Sequence, residues 1–186
     1  MARKLVLTGF MATGKTSVGQ LLAERLTWRL FDTDAMVARR AGKSIPAIFR
    51  EDGETRLREL ERAIVAELCR SRARCAQCGA PRPAIIATGG GVLVDDANYA
   101  ALACAGVIVC LSARPEIIMR RLAAGGEVRP KLLEGGKTPL ARVIELLERR
   151  RPYYARAPLW VDTSDLTVEE AAERVLALFT ACQEAR

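Results

Sequence analysis

The feature that most constrains the fold is an eight-residue segment, residues 9–16, that reads Gly-Phe-Met-Ala-Thr-Gly-Lys-Thr. It fits the P-loop pattern, in which two glycines separated by four residues precede Lys and then Ser or Thr. A buried strand is predicted before it, at residues 4–8, and a helix from about Lys15. The glycines let backbone N–H groups face phosphates, and the helix N-terminus adds positive potential. We therefore expect Lys15 to reach the β- and γ-phosphates of a nucleotide and Thr16 to offer its hydroxyl to Mg²⁺.

The rest of the chain alternates short apolar segments with amphipathic ones. The predicted strands are residues 4–8, 29–31, 84–88, 106–111 and 159–162. The predicted helices begin near residues 15, 53, 95, 115, 138 and 167. This alternation favours one α/β domain over residues 1–186, with a central, mostly parallel five-stranded sheet and helices on both faces. Such sheets bind ligands at the carboxyl ends of their strands, which is where the candidate motifs lie.

Composition excludes several kinds of chemistry. The chain has no histidine, which rules out Ser-His-Asp and Cys-His catalysis and any zinc site that needs a His ligand. A formal net charge of +7 favours anionic partners. The longest basic run is only Arg149-Arg150-Arg151 and aromatic residues are few, so nucleic acid is not an expected partner.

Two segments interrupt the alternation. Residues 124–137 are bracketed by paired glycines, which are typical of hinges around a mobile lid, although a surface loop without a role is the alternative. Residues 70–83 contain Cys75 and Cys78, close to Cys69; a thiol-bearing insertion is favoured over zinc, which prefers four ligands. No export signal and no membrane-spanning run is found, so we expect a cytoplasmic protein with free thiols and no membrane partner.

The class of P-loop protein can be narrowed by elimination. A GTPase needs a guanine-reading Asn-Lys-x-Asp, whereas Asn98 is the chain's one asparagine and Tyr99 follows it. Motor and pump ATPases need a longer chain. A small kinase that phosphorylates a metabolite or a nucleotide is what remains.

Three further motifs are candidates for the acceptor side. In Asp32-Thr33-Asp34, two carboxylates on an extended segment would point the same way, one for Mg²⁺ and one for an acceptor hydroxyl, unless they merely cap the next helix. Glu54, Arg58 and Glu61 have helical spacing, which by itself indicates a solvated ion-pair ladder more than a carboxylate site. Three glycines, residues 89–91, directly after a strand favour close approach of a ligand to bare backbone.

In this order, the motifs resemble those of the shikimate kinase family. They are residues 9–16, 32–34, 52–54 with Arg58 and Glu61, 89–91, 128–130 and 150–154, and the similarity covers roughly residues 4–179. The resemblance implies a P-loop kinase fold with a mobile lid. It also implies transfer of the γ-phosphoryl group of ATP to the 3-hydroxyl of shikimate, a step towards chorismate and the aromatic amino acids. The partners would be ATP and shikimate, with Mg²⁺ as cofactor, and we expect a monomer.

The resemblance also implies site residues. Asp34 would bind shikimate hydroxyls and act as the base, Arg58 and Arg150 would hold the carboxylate, and the Gly90 backbone would contact the substrate. Arg129 would close over the phosphates from the lid, with Lys15 as its catalytic partner, and Thr16 and Asp32 would form the Mg²⁺ site. ATP would be bound by Ala12, Thr13, Gly14, Lys15, Thr16, Ser17 and Arg129.

Two positions depart from the family pattern. Ala12 stands where a third P-loop glycine is usual, and Leu57 replaces a Phe beside Arg58.

Two other functions are alternatives to this one. The first is a gluconate or nucleoside monophosphate kinase on the same frame, which would lack the paired arginines. The second is a nucleotide sensor without transfer chemistry, against which the combination of Lys15, Asp34 and Arg129 argues.

Overall fold

The computed structural model describes residues 4–70, 83–125 and 138–184, and within them five strands form one parallel sheet. The strands are β1 (Lys4–Gly9), β2 (Arg29–Asp32), β3 (Ala84–Ala87), β4 (Gly106–Ser112) and β5 (Leu159–Asp162). Their order across the sheet is β2-β3-β1-β4-β5. The central strand β1 pairs on both sides, Leu5 lying opposite Ile85 of β3 and Val107 of β4.

Eight described helices surround the sheet. They are α1 (Lys15–Leu26), α2 (Thr33–Ala41), α3 (Ile45–Glu51), α4 (Gly53–Arg70), α5 (Asp96–Ala105), α6 (Pro115–Gly125), α7 (Pro139–Tyr154) and α8 (Val168–Glu184). A single 3₁₀ turn, Val92–Val94, precedes α5. The described part of the chain contains no helix long and apolar enough to cross a membrane.

Helices cover both faces because successive strand side chains point in opposite directions. On β1, Leu5 and Leu7 are buried in one cluster, which α1 and α8 cover, while Val6 is buried in the other. The second cluster receives side chains from the remaining helices. A strand that is buried on both faces reads as a continuous apolar run, as β1 and β4 do. The predicted parallel sheet with helices on both faces is confirmed.

The sequence interpretation was wrong at the end of β2. Asp32-Thr33-Asp34 was expected to be extended, but α2 begins at Thr33. The Asp32 side chain accepts a hydrogen bond from Ala35 N (3.1 Å) and so caps this helix, which satisfies one of its unpaired N–H groups. Two short helices, α2 and α3, were not predicted at all. The predicted insertion, residues 70–83, and the predicted lid, residues 124–137, fall outside the described residues except at their ends.

Candidate active site

The phosphate-binding loop connects the central strand β1 to α1. Gly9 (φ +130°) passes so close to the Leu111 carbonyl that a β-carbon there would collide with it. Gly14 (φ +94°) turns the chain into α1. Ala12 also has a left-handed backbone (φ +58°), a conformation that costs an alanine energy and a glycine almost nothing.

Lys15 is the basic side chain that the loop directs into the site. Its Nζ donates a hydrogen bond to the Phe10 carbonyl at 2.6 Å, the same carbonyl to which the Thr13 hydroxyl donates at 2.8 Å. Burial lowers the pKa of Lys15 from 10.5 to about 8, although the nearby charges of Asp34 and Asp32 act in the opposite direction. A phosphate bound in the loop would be an anionic partner for this ammonium group and would favour its charged form.

Two oxygen atoms suited to a magnesium ion lie together beside Lys15. The exposed Thr16 hydroxyl donates to Asp32 Oδ2 at 2.8 Å. The other carboxylate oxygen of Asp32, Oδ1, accepts the capping hydrogen bond from Ala35 N, and this bond fixes the orientation of the side chain. Hard oxygen donors of this kind, next to phosphate-binding backbone, fit Mg²⁺, which takes one or two protein oxygens and completes its shell with phosphate and water.

A cavity of about 430 Å³ lies on the side of the loop that faces Arg121 and Thr163; we call it the second cavity, to distinguish it from the cavity at the acceptor side that is described below. Thr13 and Gly14 line it from the loop, and Arg121 of α6 and Thr163 line it from the other side. Arg121 donates to the Thr163 carbonyl at 2.6 Å and to the Ala12 carbonyl at 3.3 Å. The buried Thr163 hydroxyl lies 3.1 Å from the Thr13 carbonyl. This network ties the phosphate loop to the ends of β5 and α6.

The acceptor side is built by three helices that converge on the glycines after β3. Asp34 comes from α2, Arg58 from α4 and Arg150 from α7. A β-carbon on Gly89 would collide with the Asp34 carboxylate, one on Gly91 with the Arg58 guanidinium, and one on Gly90 would lie 3.2 Å from Nη1 of Arg150. Three side chains distant in sequence therefore meet over the three glycines of one turn.

Arg58 is held by two carboxylates on its own helix. Its Nη1 donates to Glu61 Oε2 at 2.5 Å and its Nη2 to Glu54 Oε1 at 2.6 Å. Glu61 is buried, and burial raises the pKa of its carboxyl group against the charge of Arg58. The pKa of Arg58, which burial alone would lower, is raised by Glu61 and Glu54. Spacing alone indicated a solvated ion-pair ladder, but in the structure the two glutamates hold the Arg58 guanidinium in place at the wall of the pocket.

Arg150 is held by aromatic groups instead. Its guanidinium carbon lies 5.4 Å from the centre of the Phe10 ring, within the range of a cation–π contact. Tyr154, one turn further along α7, donates its hydroxyl to the Gly90 carbonyl at 2.6 Å. Burial raises the pKa of Tyr154 to about 12, so this phenol stays protonated and continues to donate.

One cavity of about 290 Å³ joins the phosphate loop to the three converging side chains. Its lining contains the predicted residues Ala12, Gly14, Lys15, Thr16, Ser17, Asp32, Asp34, Arg58, Gly90 and Arg150. Thr13 lines the second cavity, and Leu57 lies in the wall beside Arg58. Arg129 lies outside the described residues. Sequence reasoning gave no role to Arg121, Tyr154 or Thr163; the double tyrosine at the end of α7 was the one local signal for Tyr154.

A phosphate-binding loop that shares a cavity with a polar acceptor pocket, at the carboxyl edge of a parallel sheet, defines a P-loop kinase that acts on a small molecule. The comparisons with known proteins give the family. The sequence model of the family described as "Shikimate kinase" matches residues 11–180. The chain belongs to the shikimate kinase family.

Curated relatives and solved structures agree with this assignment. A shikimate kinase of Caldanaerobacter subterraneus subsp. tengcongensis is 40% identical over 174 residues, 94% of each chain, and one of Geobacter sulfurreducens is 41% identical over 173 residues, 93% of this chain and 88% of that one. The structure of the Acinetobacter baumannii shikimate kinase in complex with shikimate has a TM-score of 0.85 and 28% identity, covering 97% of this chain and 94% of that one. A gluconokinase from Sinorhizobium meliloti, at a TM-score of 0.59 and 17% identity over 99% of this chain and 97% of that one, shares the fold alone.

Proposed function

We propose that the chain transfers the γ-phosphoryl group of ATP to the 3-hydroxyl of shikimate, giving ADP and shikimate 3-phosphate on the way to chorismate. One observation carries the assignment of substrates to the site. The acceptor triad of Asp34, Arg58 and Arg150 opens into the same cavity as Lys15 and Thr16. A carboxylate-bearing polyol fits this arrangement because its carboxylate can pair with guanidinium groups while a hydroxyl faces Asp34.

The phosphate side stabilises charge. The loop backbone and Lys15 would bind the β- and γ-phosphates, and the second cavity, with Arg121 and Thr163, would take the nucleoside. Thr16 and Asp32 would hold Mg²⁺, which would supply positive charge to the phosphates of ATP. Arg129 would add a further charge from the lid, residues 124–137, whose closure would exclude water.

The acceptor side positions a hydroxyl and removes its proton. Arg58 and Arg150 would grip the carboxylate and leave the 3-hydroxyl beside Asp34. As the hydroxyl oxygen attacks the γ-phosphorus, its proton passes to Asp34, and the bond between that phosphorus and the bridging oxygen breaks to release ADP. Glu54 and Glu61 keep Arg58 in the orientation that the carboxylate needs.

The activity is tested by coupled ADP release with Mg-ATP, with and without shikimate, and with gluconate, AMP and quinate as alternative acceptors. We expect saturable release with shikimate alone. Release with AMP, which has no carboxylate, would contradict the role given to the two arginines. Release with gluconate or quinate, which carry one, would contradict the choice of shikimate as substrate, and ATP binding without release for any acceptor would favour a nucleotide sensor.

Asp34→Asn tests the assigned base. The amide keeps the shape of the side chain but cannot accept the proton, so we expect phosphoryl transfer to fall by about a hundredfold or more. ATP should still bind, because the loop backbone, Lys15 and Thr16, to which phosphate binding is assigned, are unchanged; calorimetry with an ATP analogue measures this. Normal turnover of the variant would show that Asp34 is not the base.

Three broader properties belong to the same proposal. We infer that residues 1–186 form one domain, that it acts as a monomer, and that it works in the cytoplasm. Two clusters of buried side chains share one sheet, which supports a single domain. The four cysteines that the structure describes are free thiols, which supports a cytoplasmic location. Sedimentation at increasing protein concentration tests the monomer, and a concentration-dependent dimer would contradict it.

A further inference from the structure

The three glycines after β3 do not need the backbone freedom that usually explains a glycine. None of them has φ in the left-handed region. Gly91, with φ −105° and ψ −6°, has a conformation that alanine adopts readily. What Gly89 and Gly91 share is that a β-carbon would have no room. Glycine is therefore required at positions 89 and 91 because of the neighbouring side chains and not because of the backbone torsion angles.

Those neighbours are the side chains assigned to the acceptor. A β-carbon on Gly91 would lie 2.8 Å from Nη2 and 2.9 Å from Cζ of Arg58, and closer still to Nη1. A β-carbon on Gly89 would lie 3.1 Å from Cγ of Asp34 and closer still to Oδ1. Each distance is well below van der Waals contact between such atoms. The two outer glycines thus face two different functional groups.

The turn itself is held in place and cannot move aside. Gly89 N donates to the buried Thr33 hydroxyl at 2.8 Å. The Gly90 carbonyl accepts from the buried Tyr154 hydroxyl at 2.6 Å, and the Gly91 carbonyl accepts from Val94 N at 3.1 Å. An added methyl group would therefore displace the side chain that it meets. Arg58 and Asp34 meet these positions with the ends of their side chains and not with backbone, so the consequence is a misplaced functional group more than a disrupted fold.

We propose that Gly91 and Gly89 are positioning residues for the acceptor: Gly91 leaves the space in which Arg58 faces the carboxylate, and Gly89 leaves the space in which Asp34 faces the hydroxyl. This inference rests on the roles of Arg58 and Asp34 in the proposed function. It makes the two glycines, two positions apart on one turn, responsible for two separable steps, binding and proton removal.

The kinetic constants of the two alanine variants should therefore differ. Gly91→Ala is expected to raise KM for shikimate by about ten- to a hundredfold, the worth of a hydrogen bond to a charged group, with kcat and KM for ATP within about threefold of the parent. Gly89→Ala is expected to lower kcat by about a hundredfold, because a base displaced by about 1 Å loses its alignment, with a smaller effect on KM for shikimate.

Two controls separate positioning from general damage. Gly42→Ala places a β-carbon at a left-handed position (φ +66°) with no atom within 4 Å, so it adds backbone strain without a collision. It should lower the melting temperature and leave both KM values unchanged. In an Arg58→Ala background the collision at position 91 disappears, so adding Gly91→Ala should not raise KM for shikimate further.

The outcomes distinguish this inference from the proposed function. No shikimate-dependent ADP release by the parent chain would overturn the proposed function. A parent that is active, with a folded Gly91→Ala variant of unchanged KM, would overturn the positioning role of Gly91. An equal rise in KM from Gly91→Ala in the presence and absence of Arg58 would also overturn it, because the glycine would then act through another group.

Discussion

Lys15 is expected to make ATP binding weaken as the pH rises through 8. Burial lowers the pKa of this ammonium group to about 8 in the protein without nucleotide, while bound phosphates would favour its charged form. ATP therefore binds best when Lys15 is already protonated. With a pKa of about 8, the protonated fraction falls from about 0.9 at pH 7 to about 0.1 at pH 9, so the dissociation constant should rise about tenfold between them.

The measurement is calorimetric titration with a non-hydrolysable ATP analogue and Mg²⁺ at pH 7, 8 and 9. The chain has no histidine, which removes one class of side chain that titrates near pH 7. At pH 8, binding should also take up about half a proton per nucleotide, because about half of the Lys15 side chains are neutral beforehand. Titrations in buffers of different ionisation enthalpy measure that uptake.

Lys15→Arg is the matched control. A guanidinium group keeps its charge throughout this range, so the affinity of the variant should not depend on pH, whatever its absolute value. Other groups that titrate between pH 7 and 9 are common to both proteins, so the difference between the two isolates Lys15. A dissociation constant that is constant from pH 7 to 9 in the parent chain would refute the argument that burial controls this side chain.

Three further substitutions test other parts of the site. Ala12→Gly should relieve the left-handed strain and raise the free energy of unfolding in urea by up to about 1 kcal/mol; a decrease would show that the loop gains nothing from a glycine there. Glu61→Gln removes the buried charge that holds Arg58, so KM for shikimate should rise and the free energy of unfolding should fall by about 1–3 kcal/mol; an unchanged KM would mean that Glu54 suffices. Thr163→Val keeps the shape but loses the hydroxyl beside the Thr13 carbonyl, so KM for ATP should rise severalfold with KM for shikimate unchanged, and equal effects on both would contradict a role confined to ATP binding.

Much of the fold could be predicted because each strand carries a local signal. The long helix α4 begins at the predicted residue and the strand β5 has the predicted bounds, since apolar periodicity and short apolar runs mark them directly. The phosphate loop was predicted from its glycines and Lys15. The order of strands in the sheet carries no such signal, because it depends on which strands pair over long sequence distances.

The two short helices were missed for a specific reason. In α2 the signal is a single capping residue, Asp32, and a carboxylate at a strand end is equally consistent with a ligand site. In α3 the cap is Ser44, with Pro46 in the first turn, and this pair of signals was present in the sequence. Both helices have fewer than three full turns, so hydrophobic periodicity contributed little to either.

Within the site, residue types were predictable and their surroundings were not. Spacing places Glu61 three residues from Arg58, but burial of that carboxylate follows from how α4 packs against its neighbours. The contact between Tyr154 and Gly90 spans 64 residues, and that between Thr163 and Thr13 spans 150. Such contacts exist only in the folded chain, which is why Tyr154 and Thr163 were left without a role.

The most direct test is a competition in one tube. Mg-ATP and the chain are mixed with equal amounts of shikimate, quinate, gluconate and AMP, and the phosphorylated products are identified by phosphorus–proton correlated NMR. The structure and the family predict one new phosphate monoester, on the 3-hydroxyl of shikimate, formed in step with ADP. A phosphate on another hydroxyl or another acceptor, or ADP formed without any ester, would contradict the claim that this cavity selects shikimate and directs its 3-hydroxyl to ATP.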